Sequence, residues 1–303
     1  MRVLRFDEPA CAEVATAGGK GASLARMAGL GMPVPPGFVI PADTLAGSLP
    51  DGGAELRRLL ATGSSPEISE RARALVLAAE PGGELRQAIA TGYRALGDEP
   101  PVAVRSSACA EDSEAASYAG QQETYLQVRG LDEILRRIRD CWASFFSERA
   151  LFYRARKGSL DDLGMAVVVQ RMIAADVAGV LFTCDPVQRR RDRMVVEAVF
   201  GLGEAAVSGR VTPDHFVIAR DGQMKKSRIA VQPFAVVSAA AGGTAERELS
   251  PDEGGAPTLD EARLLSLARL GDDLERQLGG PQDIEWAVAD GALYVLQARP
   301  VTA

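Results

Sequence analysis

The apolar positions of this chain switch between two periods, and the switches mark out its elements. Met165–Met172 is almost continuously apolar, as a strand buried on both faces should be. Val102–Val104 is a shorter run of the same kind, and Asp176–Thr183, Met194–Ala198 and Val211–Ile218 read as further strands. Pro33–Ile40 reads as a rigid turn feeding a short strand. Near the C-terminus, Asp283–Val288 and Leu293–Pro300 flank an Asp290-Gly291 turn and predict a hairpin.

Helical spacing appears elsewhere. Leu24, Met27, Ala28 and Leu30 give one apolar face of a short helix, stopped by Gly31 and Pro33. Residues 42–96 are helical and polar, with breaks at Leu49–Gly53, Thr62–Pro66 and Pro81–Gly83, and read as a helical cap without chemistry of its own. Leu131–Lys157 reads as one long amphipathic helix whose arginines, Arg136, Arg137, Arg139, Arg149 and Arg154, form a solvated face. Leu264, Leu267, Leu270 and Leu274 define a helix over Leu259–Leu278. Ser238–Pro257, rich in Gly, Ala and Pro, is expected to be a mobile loop.

Composition narrows the class. The 303 residues suffice for two domains, and 47% hydrophobic with 25% charged residues is ordinary for a soluble globular protein. A net charge of −7 argues against a nucleic-acid backbone as the main partner. No apolar run is long enough for a membrane span, and the opening MRVLRFDEP lacks a signal-peptide pattern. Cys11, Cys109, Cys141 and Cys184 form no CxxC pair, so free thiols and a cytoplasmic location are expected. The single histidine, His215, excludes a His-rich metal site and is read as structural.

Three stretches could carry chemistry. Val102–Val128 starts as a strand and breaks into small and acidic residues after Arg105, Ser106 and Ser107. A strand end that delivers an arginine, hydroxyls and backbone N–H groups into a small-residue loop suits a phosphate chain, although an ordinary surface loop fits the same residues. Lys20 sits in Gly18-Gly19-Lys20-Gly21-Ala22-Ser23, on a glycine-flanked turn before a helix N-terminus, where an anion is favoured. This is not a Walker A loop, because Val14 stands where the first glycine belongs and Gly21 replaces the Ser or Thr. A flexible turn with a solvated lysine is the bland alternative. Phe200–Ala206 is similar to a dinucleotide fingerprint without its third glycine.

The hairpin is the third. Alternation puts Asp283 and Glu285 on one face and Ile284 and Trp286 on the other, and it places Gln297 with Arg299. A three-residue loop, Asp290 to Ala292, sets Glu285 opposite Gln297 and Asp283 opposite Arg299. A two-residue turn puts the two sets on opposite faces. The three-residue loop is the expectation. Two acids, an amide and an arginine converging on one face are costly unless they meet metal and phosphate. An exposed edge hairpin with a salt bridge is the alternative.

Taken together, the segments resemble the nucleotide-binding part of the pyruvate phosphate dikinase and phosphoenolpyruvate synthase family, which includes rifampin phosphotransferase. The matching pieces are GGKGASL at 18–24, PVPPGFVI at 33–40, VAVRSSACAEDSEAASYAGQQETYL at 102–126 and VVVQRMI at 167–173. They continue with AGVLFTCDP at 178–186, VVEAVFGLGEAAVSGRVTPD at 195–214, DIEW at 283–286 and QARP at 297–300. Only 42–96 and 238–257 go unmatched.

The resemblance implies an α/β (α+β) ATP-grasp fold, two lobes holding ATP in a cleft between them. Residues 1–173 would form the N-terminal lobe, with the cap and a phosphate-covering loop at 105–120; residues 174–303 would form the C-terminal lobe. Lys20 and Arg105 would contact phosphates, with Ser106, Ser107 and Gly120 in the covering loop. Gln170, Met172 and Ile173 would line the adenine pocket. Glu285 and Gln297 would hold Mg²⁺, and Arg299 would stabilise the transferring group. Lys20, Arg105 and Arg299 are the expected catalytic residues, since phosphoryl transfer needs charge neutralisation and positioning more than covalent chemistry.

In that family a histidine on a separate swivelling domain carries the phosphoryl group, and His215 does not stand at its place. Three readings follow: a stand-alone ATP-dependent phosphotransferase with an unidentified acceptor; the ATP-binding subunit of a split enzyme whose histidine-bearing swivel domain is another protein; and a nucleotide sensor without turnover. The intact charged set argues against the last.

Overall fold

The computed structural model describes residues 2–109, 123–157, 159–239 and 242–301. The chain forms two compact units, Met1–Gly29 with Pro36–Met172, and Leu30–Pro35 with Ile173–Ala303.

The first unit is built on a five-stranded antiparallel sheet. Its strands are β1 (Leu4–Arg5), β2 (Gly37–Ile40), β3 (Val102–Ala108), β4 (Thr124–Val128) and β5 (Met165–Arg171), in the spatial order β1-β2-β5-β3-β4. The run Met165–Gln170 is buried throughout because β5 is the central strand, with β2 and β3 on its flanks. Helix α1 (Val14–Gly29) packs on one face. On the other lie α2 (Thr44–Ser48), α3 (Ala54–Leu60), α4 (Pro66–Leu77), α5 (Gly83–Ala95) and α6 (Leu131–Ser144), whose buried side chains share one core with β3 and β5. The breaks expected within 42–96 fall where the helices end. The region is nonetheless no mere cap: Leu45, Leu56, Leu60, Val76, Leu85 and Ile89 are part of that core.

The single helix expected over Leu131–Lys157 is two. Helix α6 stops at Ser144 and α7 (Glu148–Lys157) begins after a turn at Phe145–Ser147. Nor are all its arginines solvated. Arg154 is 1% exposed, and its guanidinium donates to the carbonyls of Phe145, Ser159, Leu160 and Asp162 while lying 3.9 Å from the Phe145 ring centroid. A planar fork with five donors suits a ring of carbonyls as no other side chain does. Helical periodicity could not show this, because the bend turns the Arg154 face inward.

The second unit contains a six-stranded antiparallel sheet in the order β13-β12-β6-β7-β8-β9. Its strands are β6 (Val177–Phe182), β7 (Arg193–Phe200), β8 (Asp214–Ala219), β9 (Met224–Arg228), β12 (Gln282–Ala289) and β13 (Ala292–Pro300). A short helix, α8 (Glu204–Val207), follows β7. Because β7 and β8 are antiparallel neighbours, the Phe200–Ala206 stretch is not the turn of a βαβ unit, and the dinucleotide fingerprint is excluded. The expectation of one loop over Ser238–Pro257 does not hold for the described residues: β10 (Phe234–Ser238) pairs antiparallel with β11 (Thr244–Glu248), and α9 (Pro251–Gly254) follows, while residues 240–241 lie outside the description. Helix α10 (Glu261–Leu278) packs on the sheet through Leu264, Leu267, Leu270 and Leu274, with Gly271 set against Leu181 and Met194. Fully buried Asp214 accepts from the Ala230 N–H, the Thr258 N–H and the Thr258 hydroxyl, tying the start of β8 to two distant loops.

Mixed helix and antiparallel sheet makes the chain α+β, the second of the two class labels expected. All four cysteines are free thiols, and burial pushes Cys11 up to about 12. Among the described residues no helix is long and apolar enough to cross a membrane.

Candidate active site

The expected site residues fall into two groups, one in each unit.

In the first unit the register of β3 against β5 pairs Ala103 with Gln170, Arg105 with Val168 and Ser107 with Ala166. Cross-strand partners share a face, so Arg105, Ser107 and Gln170 lie on the same side of the sheet. This is the face that α1 covers, since Gly21 approaches Val39 and Val168 of that side. Ser106 alternates to the opposite face, and its hydroxyl donates to the Glu123 carbonyl. Its backbone carbonyl accepts from Lys20 Nζ at 3.1 Å.

Lys20 gets there through a break. Residue Gly18 within α1 has φ +68° and ψ 175°, so the helix starts afresh after it, and Lys20 lies in the first turn of the new segment rather than before a helix. A Cβ on Gly18 would overlap the carbonyl and hydroxyl oxygens of Ser107, so the close approach and the positive φ both require glycine. The Ser107 hydroxyl donates to the Ala17 carbonyl at 2.9 Å and accepts from the Gly21 N–H at 3.1 Å. Lys20 at 9% exposed, Arg105 at 8% and Gln170 at 3% are all buried polar groups. Met172, just beyond β5, donates its N–H to the Pro101 carbonyl and is half-buried, as is Ile173, the first residue of the second unit's larger segment. Gly120 and the covering loop beyond Cys109 lie outside the described residues.

In the second unit Glu285 stands opposite Gln297 and Asp283 opposite Arg299. The expected pairing is present, but the three-residue loop that was to produce it is not. Ala289 pairs with Ala292 across a two-residue Asp290-Gly291 turn with both φ values positive, the signature of a type I′ hairpin. The register then shifts between Glu285 and Trp286, where Trp286 faces Val295 and Glu285 faces Gln297. Leu296 is the extra residue of a β-bulge. Burial supplies the reason: Val295 and Ala298, three apart, both enter the core, which a regular strand would not permit.

Arg299 donates through Nε to Asp283 Oδ2 at 2.8 Å, with the arginine side chain 57% exposed and the carboxylate 12%. Burial pushes the Asp283 carboxyl above the usual carboxylate range, and Arg299 pulls it partly back. The ladder continues from Glu285 through Val180 of β6 and Glu197 of β7 to His215 of β8. His215 Nδ1 lies 3.6 Å from Glu197 Oε1. Glu197 was not expected near the hairpin row; its place depends on strand order, which no local pattern in the sequence reveals.

The donor set fits a magnesium ion. One carboxylate and one facing amide are hard oxygen donors, and Mg²⁺ usually takes one or two carboxylates with phosphate and water completing its shell. Among the described residues there is no group of three or more His, Cys, Asp or Glu that could hold a metal ion.

The family model described as pyruvate phosphate dikinase, AMP/ATP-binding domain, matches residues 14–303. A rifampicin phosphotransferase of Bacillus cereus is 36% identical over 99% of this chain and 36% of its own length. A probable phosphoenolpyruvate synthase of Methanocaldococcus jannaschii is 38% identical over 98% of the chain and 26% of its own length. A rifampicin phosphotransferase of Streptomyces sviceus is 41% identical over 99% and 36% respectively. The chain thus spans about a quarter to just over a third of these relatives. A solved ATP-grasp ligase, PsnB complexed with minimal precursor, covers 97% of this chain and 55% of its own at 12% identity, with a TM-score of 0.28, too slight a likeness to carry weight. With the match running from Val14 to the last residue, the chain belongs to the pyruvate phosphate dikinase AMP/ATP-binding domain family.

Proposed function

We propose that this chain is an ATP-grasp phosphotransferase module that binds Mg-ATP and passes a phosphoryl group to an acceptor. The observation that carries the reading is the bulged hairpin, which sets Glu285 against Gln297 and Asp283 against Arg299 on one sheet face. Hard oxygen donors beside a guanidinium on one face suit a cation and phosphate oxygens.

In this reading Lys20 and Arg105 neutralise phosphate charge, and Gln170, Met172 and Ile173 receive the adenine. Glu285 and Gln297 are the residues that would hold Mg²⁺, which, when bound, neutralises charge on the phosphate oxygens. Arg299, held to Asp283 through its Nε, is the cation that would stabilise the transferring group. These side chains bind, orient and balance charge; none forms a covalent bond.

The test incubates the purified chain with ATP, Mg²⁺ and hydroxyl or carboxylate acceptors. Acceptor-dependent release of ADP or AMP supports the reading. Failure to bind Mg-ATP overturns it. A second reading assigns the acceptor to a separate histidine-bearing swivel-domain protein. It is favoured by His215, the only histidine, which stands within the β8 ladder beside Glu197. Turnover that appears only when such a protein is added selects it. Tight Mg-ATP binding without turnover in either assay selects a sensor instead.

A further inference from the structure

The junction between β3 and α1 gives Ser107 a task other than the phosphate contact expected of it. Its hydroxyl is fully buried and bonded twice, to the Ala17 carbonyl and from the Gly21 N–H. Those partners lie on either side of the Gly18 break, so one side chain bridges the two helical segments. The Gly21 N–H is among the first amides of the new segment, which have no partner within the helix. Ser107 therefore caps that segment from a neighbouring strand, as a Ser at the N-cap would do from within. Lys20 sits between the bridged residues and is bonded to the carbonyl of Ser106, the residue beside the cap.

A hydroxyl has one proton, and that of Ser107 goes to Ala17. It has none to donate to a phosphate oxygen. We propose that Ser107 is a positioning residue: it fixes the angle of the Gly18 break, and thereby the place of the Lys20 ammonium, without touching the nucleotide. The proposal rests on the reading of Lys20 as a phosphate contact. Losing the hydroxyl strips a partner from two buried backbone groups and frees the first turn to re-aim the lysine.

The experiment is a double-mutant cycle on Mg-ATP affinity, measured calorimetrically for the wild type, Lys20→Ala, Ser107→Ala and the double variant, with thermal melting of each as the folding control. Ser107→Ala should weaken binding about tenfold, the equivalent of one net hydrogen bond. In the Lys20→Ala background the same change should cost less than about twofold, because residues acting through one another are not additive. Ser107→Cys, which keeps the side chain's size while its thiol bonds only weakly, should show the same dependence on Lys20 and serves if Ser107→Ala fails to fold. A further tenfold loss in the double variant makes Ser107 an independent ligand and overturns the proposal alone, as does unchanged affinity in Ser107→Ala. Unchanged affinity in Lys20→Ala overturns the Lys20 reading and the proposal with it.

Discussion

Asp283 and Arg299, cross-strand partners joined at 2.8 Å, divide the work of an ion pair unequally. The carboxylate is sheltered and the guanidinium reaches out, so Asp283 acts as the anchor of a reaching group. An exposed partner contributes little stability, while the sheltered carboxylate bears the desolvation cost.

Asp283→Asn should therefore raise stability as it lowers activity. The upward shift means that the folded chain holds this proton more tightly than the unfolded chain. That contribution to stability is present at low pH and is lost as pH climbs from the ordinary carboxylate range through the raised value. Thermal melting at stepped pH should show the variant gaining on the wild type from about pH 4 upward. Turnover should fall about tenfold as Arg299 loses its hold. Melting curves that stay parallel across that range count against the assignment.

Glu285→Gln should leave the fold intact, because the side chain is only half-buried, and cut turnover about a hundredfold. The loss should ease as Mg²⁺ is raised. Gln297→Glu added to it restores one carboxylate facing one amide across the same register pair, and should recover part of the rate. Steady-state kinetics over a magnesium titration decide the matter; no recovery in the exchanged pair refutes a shared ion.

The hairpin also shows what a sequence can and cannot give. Alternation in DIEW and QARP suffices to place Glu285 with Asp283 and Gln297 with Arg299, because side-chain parity along a strand is local. The Asp290-Gly291 dipeptide correctly indicates a tight turn, yet the register depends on the bulge at Leu296, which follows from how Val295 and Ala298 both find the core. The same limit hid Arg154, whose burial comes from a helix break, and Glu197, whose neighbours are set by strand order. Residue type is enough to make Lys20, Arg105 and Gln170 candidates, but the Gly18 break just before Lys20 goes with a close approach to Ser107 that no local pattern reveals.

Arg154→Met should destabilise the first unit by about 3 kcal/mol or more, since it strips a donor from four carbonyls in a buried setting. Arg154→Lys keeps the charge but offers three donors rather than a fork, and should fall between. Urea denaturation measures both; a lysine variant as stable as the wild type would show that charge alone suffices.

Asp214→Asn should cost about 2 kcal/mol, because an amide nitrogen must replace one oxygen and meet a donor where an acceptor is needed. The amides of Ala230 and Thr258, which donate to Asp214, should gain deuterium faster in hydrogen exchange. Unaltered exchange there would show that the three bonds are incidental.

The bulge at Leu296 makes the hairpin a matter of odd and even. The turn counts two residues where the site requires an odd offset, and the bulge supplies the missing one. Paired straight through without the bulge, Gln297 would face Ile284 and Arg299 would face Gln282, turning both toward the core face and carrying Ala298 out of it. Deleting Leu296 removes the odd residue itself and leaves Glu285 opposite Gln297 in a regular ladder. A residue inserted between Leu296 and Gln297 would instead move Gln297 opposite Ile284. Loss of Leu296 should thus be tolerated, whereas that one-residue insertion should silence the face while leaving every side chain of its chemistry in the sequence.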